Sequence, residues 1–130
     1  MIHPLLVDSS WYIAQAKKGF DPLKQLAQVS HIRDIAVCGM IMSEVGRGLK
    51  YPKWLTQFEN AWREMFYIES TQTVWQVTLE IAWALDRSGK VLSLQDVHIA
   101  ACARTASAVI LSYDQHFQQI PGVKVVQDLY

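Results

Sequence analysis

The sequence has no long apolar run, and this absence excludes a class of protein. No stretch approaches the roughly 18 uncharged apolar residues of a membrane span. No positively charged leader followed by an apolar segment stands at the amino terminus either. The expectation is therefore a cytoplasmic protein without a membrane segment.

Cysteines are also few, and they are poorly spaced for cross-linking or metal binding. Cys38 and Cys102 form neither a CxxC nor a Cys/His pattern. This spacing argues against a disulfide framework and against a zinc site. Both residues are predicted to be buried free thiols.

No charge of either sign is in excess. Twelve Lys plus Arg balance twelve Asp plus Glu, so no basic field covers the molecule as a whole. Any contact with nucleic acid would need a local basic patch.

What the sequence does have is an alternation of short apolar runs and longer helical segments. Such alternation is typical of βαβ units, which build a mostly parallel sheet covered by helices on both faces. The prediction is an α/β protein with one domain, residues 1–130, in three layers around a mostly parallel five-stranded sheet. The five predicted strands are Leu5 to Val7, Ile35 to Cys38, Phe66 to Ile68, Ala108 to Leu111 and Val123 to Val126.

Capping residues, proline and glycine mark the ends of the predicted helices. Ser93-Leu94-Gln95-Asp96 has the form of a capping box ahead of a helix from Val97 to Ala106. The other helices with clear boundaries run from Ser9 or Ser10 through about Lys18, from Asp21-Pro22 onward, from Pro52 through Arg63, and from Thr71 to Ser88.

Four acidic residues fall where such a fold gathers its ligands. Asp8 and Asp114 follow apolar runs, whereas Glu44 and Asp96 lie near the beginnings of helices. In open α/β sheets ligands bind beyond the carboxyl ends of the strands, and the helices that follow the strands begin at that same edge. All four carboxylates can therefore reach one place.

Carboxylates held close together raise one another's pKa unless a cation neutralises them. Oxygen donors without histidine or thiolate favour Mg²⁺ or Mn²⁺ over Zn²⁺. A cation in such a site can lower the pKa of a bound water, orient a phosphate and stabilise the leaving oxygen, which is the outline of phosphodiester hydrolysis.

Each acid also has a purely structural interpretation. Asp8 can cap the first helix, and Asp96 fits the last position of the capping box. Asp114 can begin a turn, and Glu44 can be a solvated helix residue. The presence of all four in this arrangement favours a common site.

Five segments together carry a family resemblance that covers nearly the whole chain. They are Leu-Leu-Val-Asp8-Ser-Ser, Ser43-Glu44-Val45 with Arg47-Gly48, Leu94 to Ala103, Ser112-Tyr113-Asp114-Gln115-His116-Phe117, and Ile120 to Val125. In order and spacing they resemble the PIN-domain nucleases, and in particular the small toxin subunits of VapBC-type toxin–antitoxin pairs.

The resemblance implies an endoribonuclease that uses Mg²⁺ or Mn²⁺ and leaves a 5′-phosphate and a 3′-hydroxyl. It also implies a homodimeric toxin neutralised by a small antitoxin. Ser112 is then a polar group beside the ligands, and so is His116, which stands where many members have a further aspartate. The residues implied for metal ligation and catalysis are Asp8, Glu44, Asp96 and Asp114.

Three basic residues follow Glu44 closely enough to line the mouth of the site. Arg47, Lys50 and Lys53 are the candidates for contact with RNA phosphates. The alternative is an ordinary solvated charged surface.

The aromatic residues divide into two predicted groups. Trp75 and Trp83 are expected in the core. A self-association or partner surface is the expectation for Trp11, Tyr12, Trp54 and Trp62.

Two other functions stay open from the sequence. A catalytically inactive PIN-like RNA-binding or scaffold domain is disfavoured because all four acids are present. A DNA-directed nuclease is disfavoured only weakly, since an acidic site contacts phosphates and not sugars.

Overall fold

The computed structural model describes residues 2–130, in which a five-stranded sheet is flanked by helices. The strands lie in the order β3-β2-β1-β4-β5, and every neighbouring pair is parallel. The predicted α/β class and parallel central sheet are therefore confirmed. The strands are β1 (Leu5–Val7), β2 (Ile35–Cys38), β3 (Phe66–Ile68), β4 (Val109–Leu111) and β5 (Val125–Val126).

The helices connect successive strands and follow the expected boundaries closely. A short 3₁₀ helix, Gln115–Gln119, lies between β4 and β5. The α-helices are α1 (Ser9–Lys17), α2 (Pro22–Val29), α3 (Gly39–Arg47), α4 (Pro52–Arg63), α5 (Gln72–Arg87) and α6 (Leu94–Thr105).

Side-chain caps fix the starts of several helices. Asp21 accepts from the backbone N–H of Leu23 at 3.0 Å at the start of α2, and Ser93 accepts from that of Asp96 at 3.2 Å at the start of α6. Helix α6 therefore begins at Leu94, three residues before the predicted Val97, because the residue after an N-cap is already helical.

The sheet places its most buried strand at its centre. All three residues of β1 are buried, and β1 pairs with β2 on one side and β4 on the other. Strands β2 and β3 lie on one side of β1, and β4 and β5 lie on the other, so the strand order reverses between β1 and β4. This is the switch point at which open α/β sheets leave a crevice.

The predicted positions of the two α5 tryptophans are wrong. Trp75 and Trp83 are 53% and 58% exposed, and Leu79 lies exposed between them. Helix α5 instead buries the neighbouring face that carries Val74, Thr78, Ile81 and Leu85. Each residue turns a helix by about 100°. The position of a ring around the helix, and not its size, therefore decides whether the ring is buried.

The predicted partner surface is wrong for three of its four residues. Trp11, Tyr12 and Trp62 are almost fully buried, and only Trp54 is exposed. Phe58 lies between Tyr12 and Trp62, with ring centroids 6.0 Å and 5.4 Å away. These rings join α1 to α4, so they belong to the core and not to a surface.

Two other expectations concern the cysteines and membrane-spanning helices. Cys38 and Cys102 are buried free thiols, as predicted. Across residues 2–130, none of the helices combines the length and the apolar character that crossing a bilayer demands.

The tryptophan correction leads to a stability prediction. Trp11→Ala should lower the free energy of unfolding by about 3–5 kcal/mol, because it empties a core position. In the monomer, at a concentration too low for self-association, Trp83→Ala should cost less than about 1 kcal/mol, since that ring is exposed and loses mainly its cation–π contact with Arg87. Urea unfolding of both variants measures the difference, and equal losses would contradict the assignment of core and surface.

Candidate functional site

The site lies at the carboxyl edge of the two central strands, on the switch point. Asp8 directly follows β1, and Ser112 directly follows β4. The backbone N–H of Asp8 donates to the carbonyl oxygen of Leu111 at 2.9 Å. This bond continues the strand pairing by one residue and places the two side chains next to each other.

A directed chain of hydrogen bonds holds the Asp8 carboxylate. The Ser112 hydroxyl donates to Asp8 Oδ2 at 2.9 Å, so its lone pairs face Ser10 Oγ at 3.0 Å. Ser10 then donates to Ser112 and accepts from the backbone N–H of Tyr113 at 3.1 Å. The Ser10 backbone N–H also reaches Oδ2, at 3.2 Å. Both bonds to Asp8 end on Oδ2, which leaves Oδ1 for another partner.

Ser112 also organises the segment that follows β4. Its Oγ accepts from the backbone N–H of Asp114 at 2.9 Å. Asp114 in turn caps the 3₁₀ helix, because its Oδ1 accepts from the backbone N–H of His116 at 2.9 Å. The structural interpretations of Asp8 and Asp114 as caps therefore hold, and they coexist with a place in the acidic site.

Glu44 reaches the same site from α3. Ile41 and Val45 bury one face of α3, and Ser9 Oγ donates to Glu44 Oε1 at 3.3 Å. Burial raises the pKa of Glu44, the charge of Asp8 raises it further, and Asp96 and Asp114 add smaller contributions. Glu44 therefore lies in the field of all three other acids.

Asp96 completes the acidic cluster from the first turn of α6. Its pKa is raised mainly by burial and next by the charge of Asp114, while hydrogen bonds from Ser93 and His116 act in the opposite direction. His116 Nδ1 lies 3.4 Å from Asp96 Oδ2 and 3.2 Å from Asp114 Oδ1. The four predicted acids thus share one site, with His116 at its rim.

The predicted basic residues lie outside this cluster. Arg47 ends α3, Lys50 lies in the loop after it and Lys53 is in the first turn of α4, all three exposed. Within residues 2–130, the only ion pairs found for the four acids are those with His116. The basic residues are therefore available to a ligand, and they do not neutralise the site.

Ser9 and Ser10 are polar residues of the site that the sequence interpretation treated only as helix caps. Their position directly after Asp8 at the carboxyl end of a strand was the available signal. Their bonds to Glu44 and Ser112 span 35 and 102 residues, a separation that helix-capping patterns do not address.

The donors present fit a hard divalent cation. Four carboxylates are available as oxygen ligands, and burial and neighbouring charges raise the pKa values of Glu44 and Asp96. Ligand atoms of Asp96, Asp114 and His116 all lie within 4.8 Å of one another. Mg²⁺ and Mn²⁺ favour carboxylate oxygens and retain waters in a partly open site.

A model of the PIN domain matches residues 5–123 of the chain. The chain belongs to the PIN domain family. The resemblance found in the sequence is therefore confirmed over nearly its whole length, and strands β1 to β4 lie within the matched residues. A comparison with curated protein sequences found no match.

Several solved structures with a similar fold are VapBC complexes. VapBC2 from Rickettsia felis, bound to a DNA fragment from its promoter, has a chain with a TM-score of 0.79 at 16% identity, covering 95% of this chain and 97% of that one. DNA-bound VapBC from Salmonella typhimurium gives 0.79 at 17% identity, with coverages of 96% and 98%. VapBC-1 from nontypeable Haemophilus influenzae gives 0.78 at 16%, with 97% and 98%. At these identities the likeness concerns the fold.

The raised pKa of Glu44 predicts a pH-dependent effect on stability. A carboxyl with a raised folded-state pKa binds its proton more tightly when folded, so ionisation destabilises the fold. The penalty is absent below the unfolded pKa of about 4.3 and complete above the folded value. In chelator, Glu44→Gln should therefore be more stable than wild type at pH 8 and nearly equal to it at pH 4.

Urea unfolding at the two pH values measures this effect. Glu80→Gln, at an exposed position of α5, is the matched control and should show no comparable gain at pH 8. A Glu44→Gln variant that is less stable than wild type at pH 8 would contradict the assignment of a raised Glu44 pKa to burial and to repulsion by the other acids.

Proposed function

We propose that this PIN domain is a metal-dependent endoribonuclease that hydrolyses RNA phosphodiester bonds in the cytoplasm. The observation that carries the proposal is the convergence of four carboxylates at the switch point, where Glu44 and Asp96 have pKa values raised by burial and by their neighbours' charges. The proposed catalytic and metal-ligating residues are Asp8, Glu44, Asp96 and Asp114.

The carboxylates have different supports and therefore different roles. Asp8 is 3% exposed, and its Oδ2 accepts hydrogen bonds from Ser112 and Ser10, so we assign it the role of a fixed oxygen donor. Glu44 has one hydrogen bond, from Ser9, and can adjust its position. A Mg²⁺ or Mn²⁺ ion held by the four carboxylates would supply the polarisation of a phosphate oxygen and of an attacking water.

The exposed basic residues fit contact with the RNA backbone. Arg47, Lys50 and Lys53 follow the Glu44 helix and lie along the chain between α3 and the first turn of α4. We assign them to phosphates flanking the scissile bond, where they add affinity without reading sequence. Because they do not pair with the acids, such contact breaks no ion pair within the site.

The first test is cleavage of a labelled mixed RNA by the purified protein with Mg²⁺, with Mn²⁺ and with chelator. Cleavage should require the metal and should fall at least about a hundredfold in Asp8→Asn and Asp96→Asn, the scale on which one preorganised group at a reacting centre acts. Asp86→Asn changes an exposed acid on α5 and should cleave like wild type.

The alternative functions are separate outcomes of this assay. Binding of RNA without cleavage under either metal would support an inactive RNA-binding or scaffold domain and contradict the proposal. Equal cleavage of a matched single-stranded DNA would replace the ribonuclease with a nuclease that does not distinguish the sugar.

The proposal includes two protein partners. Chains of the same fold occur in VapBC complexes, so we propose that a small antitoxin binds and inhibits this chain.

We also propose a homodimer that buries the α5 stripe, which is formed by Trp75, Leu79 and Trp83. Exposed apolar patches of this kind mark association surfaces, and one patch can meet its own copy across a twofold axis.

Leu79→Glu tests the homodimer because Leu79 lies at the centre of the α5 stripe and is 61% exposed. Wild type should sediment as a dimer at micromolar concentration, and the variant as a folded monomer, since a desolvated carboxylate opposes association. Val91→Glu, at another exposed apolar position, should remain dimeric. A dimeric Leu79→Glu variant would remove the α5 stripe from the interface.

A further inference from the structure

His116 is not an acid, but it lies within contact distance of two of the four acidic residues. His116 stands at the start of the 3₁₀ helix, and its Nδ1 lies 3.2 Å from Asp114 Oδ1 and 3.4 Å from Asp96 Oδ2. We propose that His116 Nδ1 is itself a metal ligand, which makes the site selective for Mn²⁺ over Mg²⁺. The inference rests on the proposed function, because it requires that the acidic site hold a divalent cation.

The distances match neighbouring positions around one octahedral ion. Metal–ligand distances of about 2.1 Å place adjacent ligands about 3 Å apart and opposite ligands about 4 Å apart. Both nitrogen–oxygen distances lie near the adjacent value, and the three ligand atoms lie within 4.8 Å of one another. A modest contraction of the three side chains would place one ion between them.

The backbone around His116 directs the ring toward this position. Its N–H donates to Asp114 Oδ1 at 2.9 Å, and the next residue, Phe117, is fully buried and anchors the 3₁₀ helix. The His116 side chain is 56% exposed, so the ring borders water. Without an ion, Nδ1 donates its proton to the Asp96 and Asp114 carboxylates. An ion bound there would displace that proton to water, and the ring with its remaining proton on Nε2 would direct the Nδ1 lone pair at the ion.

The nitrogen donor changes which ion the site prefers. Mg²⁺ is bound almost entirely by oxygen and retains its waters, whereas first-row transition ions accept imidazole more readily. With Asp96 and Asp114 as oxygen donors, the set keeps the hard character that suits Mn²⁺. The structure therefore favours Mn²⁺ as the better-bound of the two ions.

Pulsed electron paramagnetic resonance of the full chain loaded with Mn²⁺ tests the ligand directly. Wild type should show ¹⁴N modulation from a coordinated imidazole, and His116→Asn should lose it while still binding Mn²⁺. His31→Asn changes an exposed histidine in the loop after α2 and should retain the signal. Asp96→Asn should weaken Mn²⁺ binding, which verifies that the ion occupies this site.

The remaining outcomes separate the inference from the proposed function. Mn²⁺ binding without nitrogen modulation in wild type, or modulation that survives in His116→Asn, overturns the inference and leaves the ribonuclease proposal standing. Failure of wild type to bind either ion overturns both.

Calorimetric affinities for the two ions give a second, independent measure. Wild type should bind Mn²⁺ more tightly than Mg²⁺, and His116→Asp should reduce that ratio by about tenfold, because it restores an all-oxygen donor set. Circular dichroism verifies that the variant is folded. A folded His116→Asp protein with an unchanged ratio overturns the inference.

Discussion

The pairing of β1 with β4 is the interaction on which the rest of this structure depends. It joins segments about one hundred residues apart and ends with the bond from Asp8 N–H to the Leu111 carbonyl. Because the strands are parallel, their carboxyl ends lie together, and Asp8 meets Ser112 at 2.9 Å. The sheet order reverses at this pair, so the flanking helices diverge and leave room for a ligand.

The same arrangement concentrates negative charge. Glu44 and Asp96 have raised pKa values because burial and neighbouring carboxylates disfavour their ionised forms. The free energy lost in this acidic site is offset by burial of the apolar core, in which β1, β2 and much of α6 are inaccessible to water. Binding sites commonly combine a stable, well-packed apolar core with a polar edge that is destabilising in the absence of its ligand.

The sequence predicted the helices and strands better than it predicted which aromatic side chains are buried. The first three strands were predicted to the residue and β4 within one residue, since short apolar runs in a buried parallel sheet leave little ambiguity. The prediction was poorer for β5, which begins at Val125 and not at Val123. The core positions predicted for Trp75 and Trp83 are wrong because helical phase places both rings beside the buried face: Val74 and Thr78 lie on the buried face of α5, one residue from exposed Trp75 and Leu79. Tyr12 packs against Phe58 of α4 and Trp11 packs edge-on against Tyr12, and the contact between α1 and α4 is one that no local pattern encodes.

The sequence by itself determined the α/β class, the approximate ends of most elements and the four acids at strand ends and helix starts, because periodicity, caps and turn residues act over a few positions. Only the tertiary structure decided which side chains share the site. The chain from Tyr113 through Ser10 and Ser112 to Asp8, and the approach of His116 to two carboxylates, arise where β1, β4 and α6 meet. Contacts of that range depend on strand order and helix packing, which short-range patterns do not specify.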